Sequence, residues 1–260
     1  MSGLNRRAAF RSERADLLAF CASLGPADWR MDSRAAGWSI QDCVAHLASG
    51  CHALFGTGLV KVMRSRHIEQ FNDDQVELRR DRLPAEVLGE YRRWSRLLIV
   101  LLPGFSRGPM ARVEVRLAEL GRFPARLVPS AAVFDHHTHL RHDMAPALGR
   151  PAPGTDANRM AVTLEWMMAV LSNQLRAARP AWLDRPLSIT LDGPGGGTWL
   201  IEPTGAISAG RGGPAAARIG AVALEFPEWA TRRAGWRERK VCVAGDADYG
   251  ERFLDVVNIV

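Results

Sequence analysis

The histidines of this chain are concentrated in one stretch, since four of the seven lie within residues 134–144. If that stretch is helical, Asp135, His139 and Asp143 fall at every fourth position and share one face. The pattern suits a metal site, because one imidazole nitrogen can bind an ion while a carboxylate one turn away holds the other N–H. The alternative is a polar face in solvent on which histidines cluster by chance, and the stretch alone leaves both interpretations open.

A further ligand could come from His46, which lies in a predicted helix over residues 40–52. Ser39 can cap the first turn of this helix, and Asp42 three residues later completes a capping box. Cysteines on either side of His46 could also bind a metal, although a small buried cysteine is the more frequent use of such a position. A lone helical histidine is usually a core or boundary residue, so His46 indicates a metal only with a partner from another segment.

Hydrophobic periodicity and stop signals predict a helical first domain over residues 1–180. The last turns of its third helix, residues 97–102, are apolar on every side and should be buried, and Pro103-Gly104 should end that helix. Segments of this length suit an up-and-down bundle. The predicted helices span residues 6–24, 40–52, 83–102, 130–145 and 157–178.

After Pro180 the pattern changes to short alternating strands, which predicts a small α/β domain over residues 181–260. The glycine-rich run 192–197 lies between two predicted strands and lacks the Lys-Ser/Thr pair of a phosphate-binding loop, so it should be a hairpin loop. The predicted strands span 187–191, 198–202, 219–224 and 239–244, and the predicted helices span 227–233 and 249–258.

Composition narrows the functional classes. Of the 260 residues, 47% are hydrophobic and 24% charged, as in a soluble globular protein. No apolar run is long enough to span a bilayer, and the arginine-rich first residues lack the apolar block of a signal peptide, so we expect a cytoplasmic protein with no membrane partner. Four cysteines without a C-x-x-C pair are expected to be free thiols.

The net charge of +6 comes from the first 180 residues. No basic helix with interleaved aromatic residues accompanies it, so nucleic-acid binding is not expected, and a cleft for a small anionic substrate explains the charge as well. Lys61 and Lys240 are the only lysines beside many arginines, a skew typical of a GC-rich bacterial genome.

Three segments together resemble the mycothiol-dependent maleylpyruvate isomerase family. Residues 37–47, Gly-Trp-Ser-Ile-Gln-Asp-Cys-Val-Ala-His-Leu, resemble its first metal-histidine helix, and residues 134–143 resemble its carboxylate-x-x-x-His helix. Residues 225–233, with Trp236 and the segment 243–246, are similar to its small C-terminal domain. The resemblance covers essentially the whole chain. It implies a DinB-like four-helix bundle followed by a small α/β domain with a sterol-carrier-like fold.

The same resemblance implies a divalent metal, usually zinc, held by His46, Asp135 and His139 with an open fourth position. The carboxylate here is Asp135, where the isomerase proper has Glu. In the family the nucleophile is the thiolate of a mycothiol-like cofactor, which adds to an activated double bond and allows cis–trans rotation before it leaves. We therefore expect isomerisation of a cis double bond or transfer of the thiol to an electrophile. The alternative is a non-catalytic metal-binding or regulatory module that kept the bundle and lost the thiol chemistry.

Two further residues are candidates for the site. Asp143 could take the N–H of His139 and orient its ring, or it could be a solvated surface residue. Arg233 would ordinarily be a loop residue, but the family's active site lies between its two domains. The resemblance therefore suggests that this guanidinium binds an anionic substrate or the cofactor. The expected partner is an anionic or electrophilic small molecule, and the chain could be a monomer or a homodimer. His136, His137 and His142 have no role in the family pattern.

Overall fold

A computed structural model describes residues 3–106, 108–210 and 213–259. The chain forms two compact units, Met1–Gly154 and Thr155–Val260. The sequence prediction set the domain boundary at residue 180, whereas the helix at 157–178 groups here with the second unit.

Helices α1, α2, α5 and α6 pack against one another as a four-helix bundle in the first unit. A π-helical segment, His139–Met144, continues α6 and leads into the short α7. A two-stranded antiparallel sheet, β1 with β2, lies between α5 and α6 in the chain. The elements are α1 (Arg6–Ala22), α2 (Ile40–Ala53), α3 (Gly58–Arg64), α4 (Ile68–Glu77), α5 (Pro84–Ser106), β1 (Glu114–Leu117), β2 (Gly121–Pro124), α6 (Val128–Thr138) and α7 (Ala145–Ala147).

The helix that carries His46 begins as its capping signals predict. The Ser39 hydroxyl accepts the Asp42 N–H at 3.2 Å, and the Asp42 carboxylate accepts the Ser39 N–H at 2.9 Å, which completes the capping box. Most of this helix is buried, including His46. The cap therefore fixes where α2 starts, and so the turn on which His46 lies.

Two expectations about α5 are wrong. The helix continues through Pro103 to Ser106, although the missing N–H of Pro103 removes one i→i−4 hydrogen bond, because the turns on either side keep the others. The apolar turns before it are not buried on every side. Leu98 and Leu102, four residues apart, are buried, whereas Val100 is 72% exposed. Only one stripe of α5 meets the bundle, and the remaining apolar side chains face solvent.

The second unit is a five-stranded sheet with helices. Its strand order is β5-β4-β3-β6-β7, with β3 and β6 parallel and the other neighbours antiparallel. The glycine-rich run forms the β3–β4 hairpin loop, as predicted, whereas β5 lies where no strand is predicted. The elements are α8 (Ala157–Ala178), β3 (Leu187–Asp192), β4 (Gly197–Ile201), β5 (Ile207–Ala209), β6 (Ala217–Val222), α9 (Phe226–Ala230), β7 (Val241–Gly245) and α10 (Ala247–Val256).

No single helix among the described residues is long and apolar enough to cross a membrane. Among the described helices, only α2 and α3 taken together pass that test of length and composition, as a pair bent by 103°.

Candidate metal centre

Helix α2 and the α6–π helix bring three predicted ligands together. The Nε2 atom of His46 lies 3.9 Å from Oδ2 of Asp135. The imidazole rings of His46 and His139 are 4.9 Å apart between centroids and nearly perpendicular, at 69°. Two histidines and a carboxylate from separate elements thus face one small volume, which is the donor set of a catalytic zinc site.

Asp143 fixes the orientation of His139. Its carboxylate is fully buried and accepts a hydrogen bond from Nδ1 of His139 at 2.8 Å. A carboxylate only accepts, so the proton of the neutral ring lies on Nδ1 and the lone pair lies on Nε2. Burial excludes the solvated-surface alternative for Asp143. The i, i+4 spacing of the two residues correctly predicts their contact.

The types of donor atom suit a divalent metal ion, and the ligand set is slightly open, since two of the donors lie farther apart than they would around a bound ion. Donors of one tetrahedral zinc ion lie roughly 3.3–3.6 Å apart, less than the 3.9 Å between His46 and Asp135. Within the described part of the chain, no three His, Cys, Asp or Glu side chains are already arranged to hold an ion. The Asp135 side chain is 40% exposed and that of His46 only 8%, so the carboxylate lies on the solvent side of the site.

Trp38 covers both histidines. The centroid of its indole lies 5.0 Å from the centroid of the His46 ring and 5.8 Å from that of the His139 ring. The indole is nearly parallel to the His139 ring, with an angle of 28° between the planes. The indole Nε1–H donates to Oδ1 of Asp73 on α4 at 2.9 Å. Helical spacing cannot reveal this contact, because Trp38 precedes α2 and Asp73 lies in a charged segment with no clear pattern.

Two of the remaining histidines of the stretch are structural. Burial lowers the pKa of His136 to about 4, and its Nδ1–H donates to the carbonyl of Ala132 at 2.7 Å. His137 faces α1, where its Nδ1 lies 3.3 Å from the buried carboxylate of Glu13. Arg141 binds the same carboxylate. These contacts join α6 and the π segment to α1.

The cysteines of the bundle are poorly suited to act as ligands or nucleophiles. Burial raises the pKa of Cys21 to about 12. Burial, with a smaller effect of the negative charge of Asp135, holds the pKa of Cys51 far above its usual value. Cys43 is buried with its Sγ 3.3 Å from the hydroxyl of Ser33. Thiolates are the reactive and metal-binding form, so these side chains are inert packing residues.

Arg233 belongs to the second unit, just after α9. Its backbone N–H donates to the carbonyl of Glu228 at 2.9 Å, and the residue is partly buried. The neighbouring guanidinium of Arg232 donates to the Asp255 carbonyl at 2.7 Å. The proposed contact of Arg233 with an anionic substrate or cofactor remains a prediction.

Two solved structures share the fold of this chain over most of its length. The crystal structures of the mycothiol-dependent maleylpyruvate isomerase and of a histidine-to-alanine mutant of it each match at a TM-score of 0.57 and 14% identity, over 92% of this chain and 91% of that chain. Sterol Carrier Protein 2 Like 2 from Aedes aegypti matches 38% of this chain and 98% of its own at 12% identity and a TM-score of 0.31, too distant to support a conclusion. No curated protein matches the chain significantly.

The predicted fold class, a helical bundle followed by a small α/β part, is confirmed by the elements described and by this shared fold. In sequence, the model of the mycothiol maleylpyruvate isomerase N-terminal domain matches residues 10–139, half of the chain. The matched span holds His46, Asp135 and His139 and stops just before Asp143. The chain belongs to the mycothiol maleylpyruvate isomerase N-terminal domain family.

Proposed function

We propose that this protein is a metal-dependent enzyme that uses a low-molecular-weight thiol, mycothiol or a similar compound, against an electrophilic small molecule. The reaction would be isomerisation of a cis double bond or transfer of the thiol. The observation that carries the proposal is the meeting of His46, Asp135 and His139 beside the buried Asp143, in a member of this family.

His46, Asp135 and His139 would hold the ion, which we expect to be zinc. A divalent ion there would lower the pKa of a bound thiol or water and so supply a nucleophile at neutral pH. The chain's own residues prepare the site. Asp143 keeps the proton of His139 on Nδ1, and the partly exposed Asp135 lies on the side of the site that solvent can reach.

An external thiol is favoured over the cysteines of the first unit. Cys21, Cys43 and Cys51 are buried, and the raised pKa values of Cys21 and Cys51 keep both protonated at neutral pH. A thiol that acts beside His46 and His139 is therefore expected to arrive as a cofactor.

We also propose Arg233 as the residue that binds an anionic group of the substrate or cofactor, since a guanidinium matches a carboxylate in bidentate geometry. The net charge of +6 agrees with an anionic small-molecule substrate. A cytoplasmic location, the absence of nucleic-acid and membrane partners, and a monomeric or homodimeric state belong to the same proposal.

The test is metal analysis of the purified protein followed by turnover of maleylpyruvate with and without mycothiol. We expect stoichiometric metal and turnover that needs both metal and thiol. His139→Ala should lose both, while His67→Ala, an exposed histidine at the start of α4, serves as the matched control. Metal without any thiol dependence would favour the non-catalytic module, for which the slightly open ligand set is the supporting observation. A protein that binds no metal would refute the proposal.

A further inference from the structure

Backbone contacts hold the loop before α2, residues 33–38, against both elements that carry the histidines, α2 and the π-helical segment. Within it, the Ser33 N–H donates to the carbonyl of Trp38 at 2.9 Å, and the Trp38 N–H donates to the carbonyl of Ala35 at 3.1 Å. Gly37 takes the left-handed conformation, with φ of 77°, that lets the chain turn there. The Arg34 N–H donates to the backbone carbonyl of Asp143 at 3.2 Å, and the next residue after Trp38 is the cap of α2. The backbone of Trp38 is therefore fixed relative to both sides of the site.

The side chain of Trp38 is fixed as well. The indole is anchored at its Nε1–H by the Asp73 carboxylate, at 2.9 Å. Its ring is stacked on that of His139, and its centroid lies 5.0 Å from the centroid of the His46 ring. The indole is only partly buried, so core filling does not account for its position.

We propose that Trp38, anchored by Asp73, is a positioning residue that holds the imidazoles of His46 and His139 in the orientation that binds metal. A ring held against both imidazoles limits the rotation of each, and preorganised ligands lose less freedom when an ion binds. Helix α4 thereby sets the metal affinity of a site to which it supplies no ligand. This inference rests on the metal site of the proposed function.

A double-mutant cycle in zinc affinity tests the anchor. Trp38→Phe keeps an aromatic ring but lacks the N–H, and Asp73→Ala removes the acceptor, so each should weaken zinc binding about 10-fold. Because both changes break the same hydrogen bond, the double variant should be no weaker than either single variant. Asp73→Asn keeps an acceptor oxygen and should restore most of the affinity.

Asp74→Ala is the matched control, since Asp74 is exposed on the same helix and its carboxylate accepts from Gln70. It should leave zinc affinity unchanged. Thermal unfolding of each metal-free variant separates positioning from folding, because a purely structural role would lower the unfolding temperature without a matching loss of affinity in the folded protein. Additive losses in the cycle, or an Asp73→Ala protein with normal affinity, would overturn the inference.

The contact itself can be measured without metal, which separates this inference from the proposed function. In NMR spectra of the metal-free protein, Trp38→Leu should move the carbon-bound proton signals of His46 and His139, because the indole ring current is lost. Asp73→Ala should move the same signals by releasing the indole, whereas Asp74→Ala should not. Unchanged histidine signals in Trp38→Leu would overturn the inference, even if the wild-type protein binds zinc and turns over substrate.

Discussion

Replacement of Asp143 by Asn tests how much the buried carboxylate contributes to the metal site. Asn has nearly the same shape, so the change removes the charge and leaves little cavity. A hydrogen bond to a charged group contributes about 1.5–3 kcal/mol, against about 1 kcal/mol for a neutral one. The weaker bond to Nδ1 of His139 should therefore cost about 0.5–2 kcal/mol. Removal of such a partner typically lowers metal affinity about 10–100-fold, which corresponds to about 1.4–2.7 kcal/mol. The overlap of the two ranges predicts a loss of about 10–30-fold.

The assay is competition for zinc against a chromophoric chelator, with wild type, Asp143→Asn and Asp135→Asn measured side by side. Asp135→Asn changes a proposed ligand, so its loss should exceed that of Asp143→Asn. Far-UV circular dichroism and thermal unfolding of the metal-free proteins should show that all three are folded. An Asp143→Asn protein with wild-type zinc affinity would refute the assignment of Asp143 to the orientation of His139. Equal losses in the two variants would contradict the order that we assign to them.

Three further expectations concern the two units. Arg233→Ala should lose turnover and keep its metal. Unchanged kinetics would show that Arg233 is a surface residue with no part in turnover. Burial alone would raise the pKa of Glu13. The hydrogen bond from His137 and the charges of His137 and Arg141 nevertheless hold that pKa below its usual value of 4.5. Its stabilising effect is therefore present above pH 4.5 and is lost as the pH falls through the lowered native pKa. Urea unfolding of Glu13→Gln should show a loss of about 3 kcal/mol at neutral pH that shrinks in acid, and a pH-independent difference would contradict this. Gly195→Ala should destabilise the second unit, measured by thermal unfolding, because φ is 70° and a Cβ atom would clash with the carbonyl oxygen of Ala157. An unchanged unfolding temperature would show that the loop moves aside.

Local chemistry predicted the elements that carry the site. A capped helix start needs only the residues at its own end, so the capping box on Ser39 and Asp42 fixed the first turn of α2. The Asp156 cap fixed α8 in the same way. The His139–Asp143 contact followed from spacing alone, because residues four apart on a helix are neighbours in any fold.

Contacts between distant segments could not be predicted in this way. The exposed stripe of α5 depends on how many neighbours that helix has, which its own apolar residues do not encode. The anchor of Trp38 on Asp73 joins residues that no periodic pattern relates. The separation of Asp135 from His46 depends on how α2 packs against α6, and the sequence predicts the ligand types but not this distance.

Two pairs of residues in the histidine-rich stretch serve two different purposes. His137 and Arg141, four residues apart, face α1 and bind the buried carboxylate of Glu13. His139 and Asp143, also four residues apart, face the site beside α2. The π-helical segment lies where the two pairs alternate, and such segments occur often at functional sites because they turn side chains away from the regular helical face. Arg141 also donates to Oδ2 of Asp16 on α1 at 3.1 Å, so the face turned toward α1 is held at two points. A helix fixed on that face can present His139 and Asp143 on the other with little freedom to rotate, and a metal ligand needs that rigidity more than it needs further donors.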